Sequence, residues 1–166
     1  MLDSKAQIEN PQAEVSPTKT CKEDNLDAAA LKNAKEVIEV LDSAGDWATI
    51  ESLVAKDATF TCQAEALADV KTVKEWYDWM VNFKGNIAPD GRCTIKSIAW
   101  DATNRKCLFY AVYHATHTGD GGPMPATNKH TDTDYVYEVV MNDEDKVASM
   151  TKIWNDMYCL KELGWA

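Results

Sequence analysis

Apolar residues recur at helical spacing through the first half of the chain and alternate through the second. In residues 25–43, Leu31, Ala34, Ile38 and Leu41 share one helical face, Asn25 or Asp27 can cap the start, and Ala44-Gly45 ends it. DWATIESLVAKD (46–57) puts Trp47, Ile50 and Val54 on one side and predicts a short second helix. ATFTCQ (58–63) reads as a strand from its β-branched and aromatic residues. In DVKTVKEWYDWMVNF (69–83), Trp76, Trp79, Met80 and Phe83 follow the i, i+3, i+4, i+7 spacing of a third helix. Beyond the turn at Pro89-Asp90-Gly91, four segments read as strands: 93–100, 106–118, 130–141 and 146–156. MYCLKELGW (157–165) is a turn or short helix. Short connections make successive strands antiparallel neighbours. Helices followed by such strands predict an α+β domain with helices on one face of a sheet.

Residues 1–24 are polar, contain Pro11 and Pro17, and lack periodicity, so a mobile tail is expected there and a folded domain over 25–166. With 45% apolar residues, a core is available without disulfides. The net charge of −10 argues against a nucleic-acid partner, which needs phosphate-neutralising cations. No Lys/Arg cluster suits an anionic membrane, no apolar run approaches the roughly 18 residues of a span, and the N-terminus lacks a secretory core. The five cysteines, Cys21, Cys62, Cys93, Cys107 and Cys159, are odd in number and form no CxxC. A disulfide framework and a structural zinc site are therefore not expected, and a reducing compartment such as the cytoplasm fits.

The chemistry concentrates in YHATHTGDGGPMPATNKHTDTDY (113–135), which holds all three histidines, His114, His117 and His130. His114 and His117 are three apart on a strand and point to opposite faces, so they do not share a metal ion. The glycine-rich loop lacks a phosphate-binding pattern and its place between strand and helix. If positions summing to 247 lie opposite, His117 faces His130, Ala115 faces Asp132, and His117, His130 and Asp132 share a face. If the sum is 248, His114 faces Asp134 with Asp132 beside them. Either register sets an imidazole near a carboxylate, which fixes its tautomer and raises its basicity. The bland alternative is a solvated polar hairpin. On the third helix, Trp79 is the aromatic expected to reach a pocket. Period two places Trp154 and Asp156 on one face, with Asp156 either a perturbed acid or a cap for the last turn. Tyr110, Tyr113, Tyr135 and Tyr137 can line a pocket or pair across strands.

The order α-α-β-α-β-β-β-β resembles the nuclear transport factor 2-like cone. His117-Thr118-Gly119, then Gly122, Pro125 and Thr127, then Trp154, Asp156 and Leu163-Gly164 are similar to motifs of the SnoaL-like polyketide cyclase branch. Asn128 stands where that family prefers Gly, and Asp132 lies one residue from its expected acid. The resemblance implies a curved antiparallel sheet wrapped around the helices, with an apolar pocket between. It implies cofactor-free acid–base chemistry on a carbonyl-bearing apolar or aromatic small molecule, by His117 and Asp132 with Asp156. Trp79, Tyr113, His114, Asp134 and Trp154 would contact that ligand. The other reading is a non-catalytic module that binds a ligand or dimerises. Such domains pair sheet to sheet, so a homodimer is expected.

Overall fold

A computed structural model describes residues 21–166, with side chains from residue 28 onward. Residues 1–20, most of the expected tail, lie outside the described residues. Three helices, α1 (Cys21–Ser43), α2 (Val73–Asn86) and α3 (Asp156–Leu163), accompany five strands. The strands are β1 (Val54–Cys62), β2 (Arg92–Asp101), β3 (Lys106–Thr116), β4 (His130–Met141) and β5 (Val147–Trp154). They form one sheet in the order β1-β5-β4-β3-β2. The result is the expected cone-like α+β fold, a curved, unclosed sheet around the helices. One edge differs from an all-antiparallel sheet, because β1 pairs parallel with β5. α2 separates β1 from β2, so β1 is free of the hairpin rule that governs the later strands. Register breaks with extra residues in β1, β2 and β5 accompany the curvature, since extra residues bend and twist a strand.

The inner face of the sheet meets α1 through Ala34, Val37, Ile38 and Leu41, all fully buried. α2 contributes Val73, Trp76, Met80 and Phe83. Its start is fixed by a capping box: Thr72 Oγ1 accepts from Glu75 N, and Glu75 Oε2 accepts from Thr72 N. Its end is covered by the loop between β3 and β4. Gly119 N donates to Ile87 O and Gly121 N to Asn86 O, both at 2.9 Å. A Cβ on Gly119 would lie 2.2 Å from Asn86 O, so this close approach requires glycine.

Two local expectations change. Residues 46–57 are not a helix. Trp47–Thr49 and Glu51–Leu53 are single 3-10 turns, and β1 begins at Val54. A short isolated helix is marginal, and strand pairing of Val54 with Val147 wins instead. α1 already runs from Cys21, so its start lies before the expected positions 25 and 27.

The β3–β4 register matches neither alternative. Thr116 faces His130, His114 faces Asp132, and Val112 faces Asp134, so opposed positions sum to 246. His117 N donates to Lys129 O at the ladder's end, and Asn128 N returns to His117 O. Asn128 adopts a left-handed φ of 57°, which Asn tolerates better than other side chains. That conformation gives a physical reason for Gly or Asn at this position.

Candidate functional site

The interior of the cone carries two ionisable groups, Asp42 and Lys152. Asp42 sits on the buried face of α1, one turn after Ile38, and is 1% exposed. Tyr135 Oη donates to Asp42 Oδ2, and Tyr137 Oη donates to Asp42 Oδ1 at 3.0 Å. Trp76 Nε1 donates to Tyr137 Oη at 3.1 Å, so the chain of bonds runs from α2 through β4 to α1. Burial pushes the Asp42 carboxyl above its usual range, while the Lys152 charge and the two phenols pull it back. Burial and the Asp42 charge also push both tyrosine hydroxyls up, so they remain donors at neutral pH.

Lys152 projects inward from β5. Among the described residues its ammonium makes no ion pair or hydrogen bond; aromatic rings surround it instead. Nζ lies 4.4 Å from the Trp76 ring, 4.8 Å from Tyr135, 5.0 Å from Trp154 and 5.5 Å from Tyr137. These are cation–π distances. Burial lowers the Lys152 pKa to about 8, and the attraction of Asp42 offsets part of that fall. The charge pair is thus separated by phenols rather than closed into a contact.

Lys152 also borders an apolar cavity of about 60 Å³ at the open end of the cone. α2 supplies Trp79, Met80 and Phe83 to its wall, the sheet supplies Tyr113, Thr133 and Trp154, and the C-terminus supplies Leu163 and Trp165. Trp76, Trp79 and Phe83 stack in series, with successive ring centroids 5.2 Å apart. Thr131 and Thr133 place a hydroxyl pair 2.6 Å apart on the β4 wall, beside Cys159. A wider depression of about 770 Å³ near Trp47 and β1 is open and edged by charges of both signs, including Lys56, Asp57 and Glu144.

The residues singled out from sequence divide between the two sides of the sheet. Trp79, Tyr113 and Trp154 line the cavity. His114, Asp132 and Asp134 face outward and do not. In the observed register His117 and Asp132 lie on opposite faces, so their expected pairing does not form. His117 is fully buried beyond β3, where Nδ1 accepts from Trp165 Nε1 at 2.9 Å and from Thr127 N at 3.2 Å. Both donors fix the proton on Nε2, which has no partner and packs under Gly122. His117 ties the hairpin loop to the C-terminus; neither nitrogen is placed for proton transfer in the cavity. Asp156 is also displaced, because β5 stops at Trp154 and period two ends there. Asn155 caps α3 by accepting from Tyr158 N, and Asp156 binds only the neighbouring Met157 N.

On the outer face, Asp132 Oδ1 lies within hydrogen-bond distance of both His114 Nδ1 and His130 Nε2. Those bonds hold its carboxyl below the usual range. The imidazole–carboxylate pairing predicted from sequence therefore exists, but on the solvent side, with His114 rather than His117. Lys152 and Asp42 were not foreseen. Their signals were a lone Lys in the inward alternation Met150, Lys152, Trp154, and a lone Asp on the α1 stripe Ile38, Leu41, Asp42.

No protein-family model and no curated protein matches the chain. Solved structures do. IdmH from Streptomyces antibioticus, a candidate polyketide cyclase, superposes with a TM-score of 0.68 at 18% identity, covering 81% of this chain and 98% of its own. A candidate SnoaL-like polyketide cyclase from Jannaschia sp. CCS1 gives 0.67 at 10% identity, covering 93% and 99%. AclR from Streptomyces galilaeus, a candidate hydroxylase, gives 0.64 at 19% identity, covering 84% and 87%. The fold is that of the SnoaL-like proteins of the nuclear transport factor 2-like superfamily. Identities this low establish the fold and leave the reaction to the site.

Proposed function

We propose that the protein binds a small, partly apolar, carbonyl-bearing molecule between α2, the sheet and α3, and acts on it through Lys152 without a cofactor. The observation that carries this reading is the Lys152 ammonium, held by aromatic rings at the edge of an otherwise apolar cavity. A buried cation with unclaimed protons is a ready donor to a carbonyl oxygen, and it stabilises the oxyanion of an enolate or aldol transition state. A pKa of about 8 lets the same group give a proton and recover it near neutral pH. Asp42 and the two phenols hold the positive charge inside the protein without competing for the contact. Trp79, Tyr113 and Trp154 supply flat surface for a ring. The space present holds roughly two waters by volume. A ring-sized ligand enters by displacing the rim formed by α3 and Trp165. The candidate cyclases and hydroxylase that share the fold fit a small-molecule role. This reading moves the chemistry from His117, Asp132 and Asp156 to Lys152, because geometry removes those three from the cavity.

The test uses α-tetralone and its hydrocarbon analogue tetralin, followed by amide NMR and tryptophan fluorescence. The ketone is expected to shift resonances of Trp79, Trp154 and Lys152. Lys152→Met should weaken ketone binding at least about tenfold while leaving tetralin binding within a factor of about two. In D₂O the wild type should exchange the ketone's α-protons faster than the variant. Absence of ketone binding, or binding and exchange indifferent to Lys152→Met, overturns the reading.

A second observation favours the expected homodimer. Leu108, Tyr110, Val136 and Ile153 form an apolar stripe across β3, β4 and β5 on the outer face, with Ile153 66% exposed. Light scattering should return twice the chain mass for the wild type and the monomer mass for Ile153→Asp; a monomeric wild type overturns pairing. No helix among the described residues is long and apolar enough to cross a membrane. Cys62, Cys93, Cys107 and Cys159 are free thiols.

A further inference from the structure

A second constellation lies on the outer face of β3 and β4, unused by the cavity chemistry. His114 and Asp132 are directly opposite, and His130 lies two residues before Asp132 on the same face. His114 Nδ1 and His130 Nε2 approach the same oxygen, Asp132 Oδ1, at 2.6 and 2.9 Å. One ligand atom from each of the three residues falls within 4.8 Å of the others. Donors around a zinc-sized ion, bonded at about 2.0–2.2 Å, sit roughly 3–3.5 Å from one another, so small side-chain rotations open the space for one.

The far side of each ring is anchored. His114 Nε2 lies 2.9 Å from Thr94 Oγ1. His130 Nδ1 lies 3.0 Å from Thr116 Oγ1, and that hydroxyl donates to Asp90 Oδ2 at 2.6 Å. A hydroxyl has one proton. Since it goes to the Asp90 carboxylate, Thr116 accepts from His130, and the His130 Nδ1 carries hydrogen. The Nε2 lone pair then points at Asp132 Oδ1. Two acceptors 2.9 Å apart repel unless a cation joins them. The junction is a slot for a proton or for a metal ion, and ligating histidines are oriented by this kind of outer hydrogen bond.

We infer that His114, His130 and Asp132 form a site for one late first-row divalent ion of the zinc class, on the outer face beside the mouth of the β3–β4 hairpin. Two imidazoles and one carboxylate suit Zn²⁺, Co²⁺ or Ni²⁺ rather than Ca²⁺ or Mg²⁺, which prefer all-oxygen ligands. Asp132 and His130 are open to solvent, so water completes the coordination. Asp134 and Asp90 nearby, and the net charge of −10, favour cation approach. The bound ion would clip β3 to β4 where the long loop begins.

The experiment uses the full chain without a polyhistidine tag, stripped with chelator, and Zn²⁺ or Co²⁺ alone as the probe. Calorimetry should show one Zn²⁺ per chain, and Tm should rise with Zn²⁺ concentration. Resonances of His114 and His130 should shift while His117 stays still. The Co²⁺ complex should lack the near-ultraviolet band of sulfur ligation, which separates this site from the free cysteines. His130→Ala and Asp132→Asn, both at exposed positions, should each weaken binding at least tenfold. Absence of stoichiometric binding by millimolar Zn²⁺ overturns the site, as does binding that survives both variants or carries the sulfur band.

Discussion

Ionisable clusters lie on both sides of the sheet, and the two clusters solve opposite problems. Inside, Asp42 and Lys152 lie out of water, and two phenols and an aromatic box replace the lost hydration. Outside, Asp132 is 59% exposed in its side chain and gathers two imidazoles that water also serves. The inner pair has chemical leverage because desolvation shifts proton affinities; the outer cluster has reach because ions arrive from solvent. Removing a partner should therefore be costly inside and cheap outside, although the hydrogen bonds look alike in length.

The largest effect is expected from Asp42→Ala. It strands Lys152 without its counter-charge and leaves the Tyr135 and Tyr137 hydroxyls without their acceptor. Breaking a buried charged network from one side costs about 3–5 kcal/mol. Urea denaturation of the variant checks this, and a loss below about 1 kcal/mol would put the inner cluster on the same footing as the outer one.

Lys152→Met sharpens the contrast through pH. The folded protein holds this proton with a pKa of about 8, against 10.5 for an ordinary lysine. Below pH 8 both states keep the proton and the folded state bears the full burial penalty. From about pH 8 to 10.5 the unfolded chain binds more protons at this site, so the wild type gains stability relative to Lys152→Met as pH rises. The gain should be a few kcal/mol, read as the difference between the two proteins' denaturation curves at each pH. A pH-independent difference would mean that Lys152 is hydrated after all.

The sequence shows these faces unevenly. The α1 and α2 stripes and the four later strands were legible because apolar periodicity reports directly on burial; the cone followed from the resemblance to the nuclear transport factor 2-like fold. The aromatic lining followed too: Trp79 on its helical face and Trp154 at an inward strand position both reach the cavity. The inner ion network was not, because a single Asp or Lys on an apolar stripe is ordinarily an edge position or a snorkelling side chain. Its partner lies 110 positions away, and only the fold brings them together. The register was also hidden. A left-handed Asn128 closes the ladder one residue away from the first expected register, and one residue moves every side chain to the other face. His117 and Asp132 were separated by that step, and His114 gained the carboxylate instead.

His117 gives an intermediate case, since it is buried and its Nδ1 only accepts. His117→Ala removes the acceptor of Trp165 Nε1 and Thr127 N. A loss of about 1–3 kcal/mol is expected from unsatisfied donors, together with a loosened Trp165 rim. Thermal melting and the Trp165 indole NMR signal check both. If ligand binding in the cavity survives with unchanged ketone α-exchange, His117 is structural, as its tautomer requires. If exchange collapses while Trp165 remains in place, the chemistry belongs to His117 and the inner–outer contrast needs a third site.

The smallest effect is expected from Asp132→Asn. Asn keeps the shape and an acceptor, and exposed ion pairs contribute about 0–1 kcal/mol. Stability should change by less than about 1 kcal/mol, while the imidazole signals of His114 and His130 move and that of His117 does not. His117 lies across the sheet and takes its hydrogen bonds from Thr127 and Trp165, so the charge on Asp132 has no direct path to it. A response of His117 larger than that of His114 would place His117 on the face of Asp132 and reject the observed register. Silence at His117, with both outer rings responding, excludes the one-residue slip that would bring His117 to the face of Asp132. It also leaves the inner face, with Lys152 as its one ordinarily charged lining group, as the place to look for turnover.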